Sequence, residues 1–135
     1  MDSRFGMAGH PAPSPAMRTT LRLEGAALGL GAIAAFAFAD GPWWLFALLV
    51  LAPDLAMLGY LGGSRTGAIA YNAAHHWAGP VVLGVVGIGA GSPPAWQAAL
   101  IWAAHIGLDR ALGYGLKYAS AFHATHLGPI GRGRF

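Results

Sequence analysis

The chain has 135 residues, of which 56% are hydrophobic and only 10% are charged, and its mean hydropathy is +0.51. Soluble domains carry about 25% charged residues, so this chain has too little charge to coat a water-facing surface. Its apolar content excludes intrinsic disorder, and the absence of cysteine excludes disulfides, thiol catalysis and cysteine-ligated zinc. Eight scattered basic residues are too few for a nucleic-acid groove, so we expect no nucleic-acid partner. The remaining class is a membrane protein, with the lipid bilayer as its partner.

In chain order, residues 1–20 are rich in Pro, Ser and Gly and are predicted to form a flexible N-terminal arm. Four apolar stretches follow, each near the roughly 20 residues that a helix needs to cross a membrane. They cover about 21–39, 43–61, 67–90 and 95–118, and residues rich in Gly, Pro and Ser separate them. The sequence therefore predicts an all-α fold, an integral membrane four-helix bundle over 21–118, with a cytoplasmic tail at 119–135.

The basic residues predict how these four spans are oriented. Seven of the eight Lys and Arg residues lie before the first span, in the second loop, or at and beyond the end of the fourth span. The first and third loops hold none, a distribution that the positive-inside rule associates with both termini in the cytoplasm. Tryptophans at the predicted outer ends and tyrosines at the inner ends agree with this topology. We expect a multi-pass protein of a bacterial inner membrane.

Small residues recur four positions apart in three of the spans. The motifs are Gly25-x3-Gly29, Gly87-x3-Gly91 and Ala103-x3-Gly107-x3-Ala111. Such spacing lets two helix backbones approach closely. It suits packing within one chain and also a homo-oligomer, and the sequence does not separate the two.

The spans also contain ionisable residues, which are costly at membrane depth unless they are paired, hydrated or functional. The candidate polar cluster comprises Asp54, His75, His105, Asp109 and Arg110. His105 and Asp109 are four positions apart and share one helix face. Pro53 and Pro80 lack an N–H group, so they are expected to free the carbonyls of Leu49 and His76 near these side chains. The two aspartates and two histidines of this cluster are predicted to lie in the cytoplasmic half of the bundle.

Three interpretations of this cluster remain open. In the first, Asp54, His75, His105, Asp109 and the tail residue His126 supply nitrogen and oxygen ligands to a divalent metal such as zinc, which could activate water for hydrolysis. In the second, the same side chains form an interhelical polar network that holds the spans together. In the third, they form a proton relay or a small-solute path. The outer half of the spans offers little that is polar, which disfavours transport.

Three segments of the chain carry long, specific motifs: LAPDLAMLGYLGG, GAIAYNAAHHW, and AAHIGLDRALGYGLKY followed by THLGPIGR. They resemble the small bacterial membrane proteins of domain-of-unknown-function family 4260, and the resemblance covers roughly Arg22 to Arg132. The family pattern falls on Glu24, Pro53, Asp54, Met57, Gly59, Tyr60, Tyr71, Asn72, His75, His105, Asp109, Arg110, Gly113, Tyr114, Lys117, Tyr118, Thr125 and His126. His76 and His123 lie outside the pattern.

The resemblance implies an integral membrane protein with about four spans and leaves its chemistry open. We therefore expect a small multi-pass membrane protein with a polar Asp/His cluster. The alternative is an intramembrane, metal-dependent hydrolase that acts on a lipid-like substrate. A small transporter or proton-relay component is the third hypothesis.

Overall fold

The computed structural model describes residues 13–118, 125–127 and 130, and its regular elements there are all helical. The elements are α1 (Pro15–Phe38), α2 (Trp43–Leu49), a 3₁₀ helix (Ala52–Gly62), α3 (Ser64–Ala74), α4 (Ala78–Gly89) and α5 (Pro93–Leu112). The described residues also contain an isolated antiparallel β-bridge between Lys117 and Thr125. The predicted all-α class is thus confirmed.

Helix α1 begins at Pro15, earlier than the start at residue 21 that hydropathy predicts. The Ser14 hydroxyl accepts a hydrogen bond from the Met17 N–H group at 3.2 Å, and so caps the helix. Pro15 occupies the first turn, where its missing N–H group costs nothing and its fixed φ suits the helix. The last part of the predicted arm is therefore helical, and residues 1–12 lie outside the described residues.

The second apolar stretch is interrupted close to Pro53. Helix α2 ends at Leu49, and a 3₁₀ helix of 11 residues continues from Ala52 to Gly62. Proline lacks a donor and its ring clashes with the preceding turn, which favours a break in the α-helix at this position. Such a long 3₁₀ run is uncommon and often marks a functional segment.

The third apolar stretch is interrupted just before Pro80. Helix α3 starts at Ser64 and ends at Ala74, and α4 starts only at Ala78. The His76 ring accepts a hydrogen bond from the Gly79 N–H group at 3.2 Å, which satisfies one of the free donors at the start of α4. The continuous helix predicted for 67–90 is thus two shorter helices.

Helix α5 is uninterrupted, but it ends at Leu112 rather than at residue 118. Gly113 follows it with φ of 92°, a left-handed conformation that glycine adopts at little cost. Residues 113–118 then continue without helical structure.

Helix α5 is the central element, because it packs against α1 on one side and α4 on another. A Cβ atom on Gly107 would lie 2.5 Å from the Cα of Gly29, and one on Gly87 would lie 2.7 Å from the Trp96 nitrogen. Residues of all three small-residue motifs therefore pack against neighbouring helices of the same chain. Helix α3 packs mainly against the 3₁₀ helix.

Much of the outer surface is apolar. Phe38 and Leu61 are each 90% exposed, and Ile88 is 71% exposed. Within the described residues, two stretches are long and apolar enough to cross a membrane, Pro15–Phe38 and Trp43–Gly62. Neither α2 nor the 3₁₀ helix has a buried residue.

Candidate metal centre

Four side chains from three parts of the chain meet at one point. Asp54 comes from the 3₁₀ helix, His75 follows the last residue of α3, and His105 and Asp109 lie one turn apart on α5. Each offers one ligand atom, and these four atoms all lie within 4.8 Å of one another. The convergence of these four residues, which the sequence predicts as candidate ligands, is the main finding at this site.

The distances among the ligand atoms are short and similar. The two Nε2 atoms of His75 and His105 are 3.1 Å apart. Oδ1 of Asp54 lies 3.3 Å from the first of them and 3.2 Å from the second. Oδ2 of Asp109 lies 3.5 Å and 3.3 Å from the same two atoms. In a tetrahedral zinc site with bonds of about 2.0–2.1 Å the ligand atoms are about 3.3–3.4 Å apart, so these five distances are close to those around a single four-coordinate ion.

Both histidine rings are held by backbone carbonyls. Nδ1 of His75 lies 2.8 Å from the Tyr71 oxygen, and Nδ1 of His105 lies 2.6 Å from the Val50 oxygen. A carbonyl oxygen can only accept, so each Nδ1 carries the proton and donates it. The Nε2 atom of each neutral ring is then left with its lone pair, as in metal-binding histidines whose other nitrogen donates to an outer partner. Two nitrogen lone pairs and two carboxylates face one point, an arrangement that a cation stabilises.

The two interruptions in the apolar stretches supply the carbonyls that α5 uses. Val50 lies between α2 and the 3₁₀ helix, and its oxygen accepts from His105. At the end of α3, the Ala74 oxygen accepts from Trp102 Nε1 at 2.6 Å and the His75 oxygen accepts from Arg110 at 2.9 Å. The carbonyls that bond to α5 are therefore near those of Leu49 and His76, which we expected to be free, but are not the same ones.

Three further residues support the site, and the sequence analysis assigned them no role. The Tyr71 ring stacks on His75 with 3.8 Å between centroids and 9° between planes. Lys117 places its Nζ atom 4.6 Å from the centre of the Tyr71 ring. The Asn72 side chain donates to the Lys117 carbonyl at 2.8 Å and accepts from the Lys117 N–H group at 2.7 Å. The available signal was the four-residue spacing of Tyr71 and His75, which places both on one face of α3.

The site is buried on its histidine side and open on its aspartate side. His75 and His105 are 1% and 4% exposed, whereas the side chains of Asp109 and Asp54 are 20% and 39% exposed. Access from outside is therefore greatest at Asp54.

Two buried cations lie near the two carboxylates. Arg110 interacts electrostatically with Asp109, and Lys117 interacts with both Asp109 and Asp54. The formal charges of the two carboxylates and the two cations therefore balance. A divalent ion would add two positive charges, which favours an additional anionic ligand such as hydroxide.

The other sequence candidates take different roles. Arg110 is not a ligand, because its guanidinium donates to the carbonyls of His75 and Tyr114 at 2.9 and 3.3 Å. His126 lies outside the group of four, so the expected fifth ligand is not supplied by this residue. Its Nδ1 instead accepts from the Leu116 N–H group at 2.8 Å, and burial together with the Arg110 charge lowers the pKa of His126. His123 lies outside the described residues.

A family model described as Domain of unknown function (DUF4260) matches residues 18–130. The match covers most of the chain, including all four residues of the cluster, and the chain belongs to this family. No curated protein and no solved structure matches it.

Proposed function

We propose that this member of the DUF4260 family is a membrane protein that holds a divalent metal ion, zinc by preference. Asp54, His75, His105 and Asp109 form the site. The observation that carries the proposal is the pair of Nε2 atoms, 3.1 Å apart, whose lone pairs face carboxylate oxygens at 3.2 to 3.5 Å. Imidazole and carboxylate together suit zinc, and the chain has no cysteine to favour a softer site.

We further propose that the helices form a four-span bundle in a bacterial inner membrane, with both termini in the cytoplasm. The exposed apolar side chains of α1, α2 and the 3₁₀ helix support contact with lipid. The asymmetry of the basic residues supports the orientation. Interrupted helices are tolerated at membrane depth where they are buried in protein, and here the freed carbonyls bond to α5.

The proposed activity is hydrolysis of a membrane-borne, lipid-like substrate. Catalytic zinc sites keep three protein ligands and a water whose pKa falls to about 7. Asp54 is the most exposed of the four residues, so we assign His75, His105 and Asp109 to holding the ion. Water enters beside Asp54, which accepts its proton. The apolar surface around the opening favours an amphiphilic substrate over a soluble one.

Elemental analysis of protein purified without a His-tag tests the metal site. We expect about one zinc ion per chain. Loss of an outer partner of a metal ligand weakens metal binding by about 10–100-fold, and His105→Ala and Asp109→Asn should each weaken zinc binding by more than this. His76→Ala is the matched control, because His76 lies in the same interruption but outside the cluster. Binding should also weaken at low pH, since the ligands must lose their protons. Folded variants with unchanged zinc content would contradict the proposal, and the cluster would then be an interhelical polar network.

Turnover tests the hydrolase assignment separately. Zinc-loaded protein in mixed micelles should hydrolyse members of a panel of fluorogenic lipid esters and phosphate esters, and zinc-free protein should not. Asp54→Asn should retain zinc but lose turnover, because an amide cannot accept the proton from the water. A panel without any zinc-dependent turnover, or an Asp54→Asn variant as active as the parent, would contradict this assignment.

A further inference from the structure

A second polar feature lies away from the metal centre, where α1 begins and α5 ends. It is a cavity of about 480 Å³. Polar side chains of α1 line it together with Tyr114 and apolar residues that include Leu112 and Leu127. This volume is in the range of small-molecule pockets, which are about 300–1,000 Å³. The cavity is therefore large enough for a ligand with several polar atoms.

The walls of this cavity carry positive charge. Arg18 and Arg22 are one turn apart on α1, so they share a face, and Thr19 lies beside them. None of the described residues that line the cavity is acidic. A pair of guanidinium groups is suited to phosphate, because each can offer two parallel N–H donors to its oxygens.

The two arginines differ in their existing contacts. Nε of Arg22 donates to the Ala111 carbonyl at 2.8 Å, which fixes this side chain at the end of α5. Gly113 lies beside this side chain without obstructing it. A Cβ atom on Gly113 would lie 4.0 Å from Nε of Arg22. Arg18 is half-buried, and within the described part of the chain no hydrogen bond or ion pair engages its guanidinium. Arg18 is thus the residue whose charge a ligand would satisfy.

The outer surface next to this cavity is apolar. Met17 and Leu23, which are next to Arg18 and Arg22 in α1, are 57% and 65% exposed. An amphiphile bound here would place its phosphate at the arginines and its chains along these side chains. Inorganic phosphate would use the arginines alone.

We propose that this cavity binds the phosphate of an anionic phospholipid headgroup in the cytoplasmic leaflet. The inference rests on the membrane placement proposed above, which puts the start of α1 and the end of α5 at the cytoplasmic surface. Anionic lipids there attract basic residues of membrane proteins. It does not depend on whether the metal centre binds zinc.

The test compares phosphatidylglycerol with zwitterionic phosphatidylcholine, each added to the full-length protein in neutral detergent and observed by native mass spectrometry. We expect phosphatidylglycerol to bind preferentially. Arg18→Gln should weaken that binding by about tenfold or more, because a charge-assisted hydrogen bond is lost. Arg65→Gln is the matched control, since it removes the same charge from an exposed position on the same predicted side and does not line the cavity.

Equal losses in the Arg18 and Arg65 variants would overturn the proposal, because attraction would then depend on net charge alone. Inorganic phosphate that competes fully with phosphatidylglycerol, in a protein without preference between the two lipids, would overturn the lipid as the ligand. Zinc content should be the same in Arg18→Gln and in the parent. A parent protein that binds phosphatidylglycerol but no zinc contradicts the metal centre alone, and a protein that is monodisperse without detergent contradicts the membrane placement.

Discussion

The continuous helices and the interrupted stretches of this molecule use their backbones differently. Helices α1 and α5 run without a break, and they meet through glycines whose backbones almost touch. The stretches from 43 to 62 and from 64 to 89 are broken near prolines and leave carbonyls outside the helical pattern. Donors on α5 form hydrogen bonds to these carbonyls. The two cluster residues that do not lie on α5, Asp54 and His75, both come from the interrupted stretches.

This difference should separate the contacts that only stabilise the fold from those that also shape the proposed metal centre. In apolar surroundings an unbonded carbonyl costs about 1–3 kcal/mol, so each interruption needs a donor from a neighbouring helix. The same hydrogen bonds orient His75 and His105 toward the carboxylates. Changes in the glycine contact should therefore alter the free energy of unfolding alone, whereas changes at the interruptions should also alter metal binding.

The largest effect is expected at the glycine contact. In Gly107→Ala the new methyl group would lie 2.5 Å from the Gly29 backbone, so the two helices must separate. We expect a loss of about 3 kcal/mol in the free energy of unfolding, the upper part of the usual range for overpacking. Thermal unfolding in detergent measures it, and the folded fraction should keep its zinc. Gly31→Ala is the control, because its side chain would meet nothing within 4 Å; equal stability of the two variants would contradict the close contact.

Arg110→Lys should lower both the free energy of unfolding and the affinity for zinc. Lysine keeps the charge but lacks the forked guanidinium group that reaches two carbonyls. Loss of the bond to the His75 carbonyl should lower the free energy of unfolding by about 2 kcal/mol. Zinc affinity should fall as well, because the backbone of His75 is no longer held. Zinc titrations of the folded variant provide the measurement. A stability loss with unchanged zinc affinity would show that other contacts position His75.

The local features of the cluster were predictable from the sequence, and its completed geometry was not. The spacing of His105 and Asp109 places them on one face of α5, and Pro53 and Pro80 indicate disturbed helices. Hydropathy could not show that these disturbances end the helices. Hydropathy also does not reveal that Ser14 caps α1, because a helix cap is a local, polar signal.

The mutual approach of Asp54 and His75 depends on how the separate helices pack, which no spacing in the chain encodes. The same limit explains His126, a tail histidine that was a candidate because imidazole is a suitable metal ligand. In the structure its ring is engaged instead by the Leu116 backbone. Asn72 and Lys117 are hydrogen-bonded although they are 45 positions apart, and a periodic pattern in the sequence does not predict a contact at that separation.

A smaller effect is expected where Asn72 holds the segment after α5. Asn72→Ala removes both hydrogen bonds to Lys117 and should cost about 1–2 kcal/mol. Asn72→Asp keeps an acceptor for the Lys117 N–H group but loses the donor to its carbonyl. Hydrogen exchange at the Lys117 amide should therefore accelerate in Asn72→Ala and stay slow in Asn72→Asp. Equal exchange rates in the two variants would contradict this account.

The smallest effect is a pH dependence at His126. Its lowered pKa means that the unfolded chain binds more protons than the folded chain near the ordinary value of about 6.5. The stability from neutral His126 is therefore present above that value and is lost as the pH falls below it. His126→Asn offers an acceptor that does not titrate, so its melting temperature should fall less than that of the parent between about pH 7 and 5. Parallel pH profiles would argue against the Leu116 hydrogen bond.

X-ray absorption at the zinc edge, on untagged protein loaded with one equivalent of zinc, tests the metal centre most directly. The account predicts a four-coordinate shell of nitrogen and oxygen at about 2.0–2.1 Å, with outer scattering from two imidazole rings. In His105→Ala the contribution of one ring should disappear. A six-coordinate oxygen shell without imidazole scattering would contradict a site built from His75 and His105.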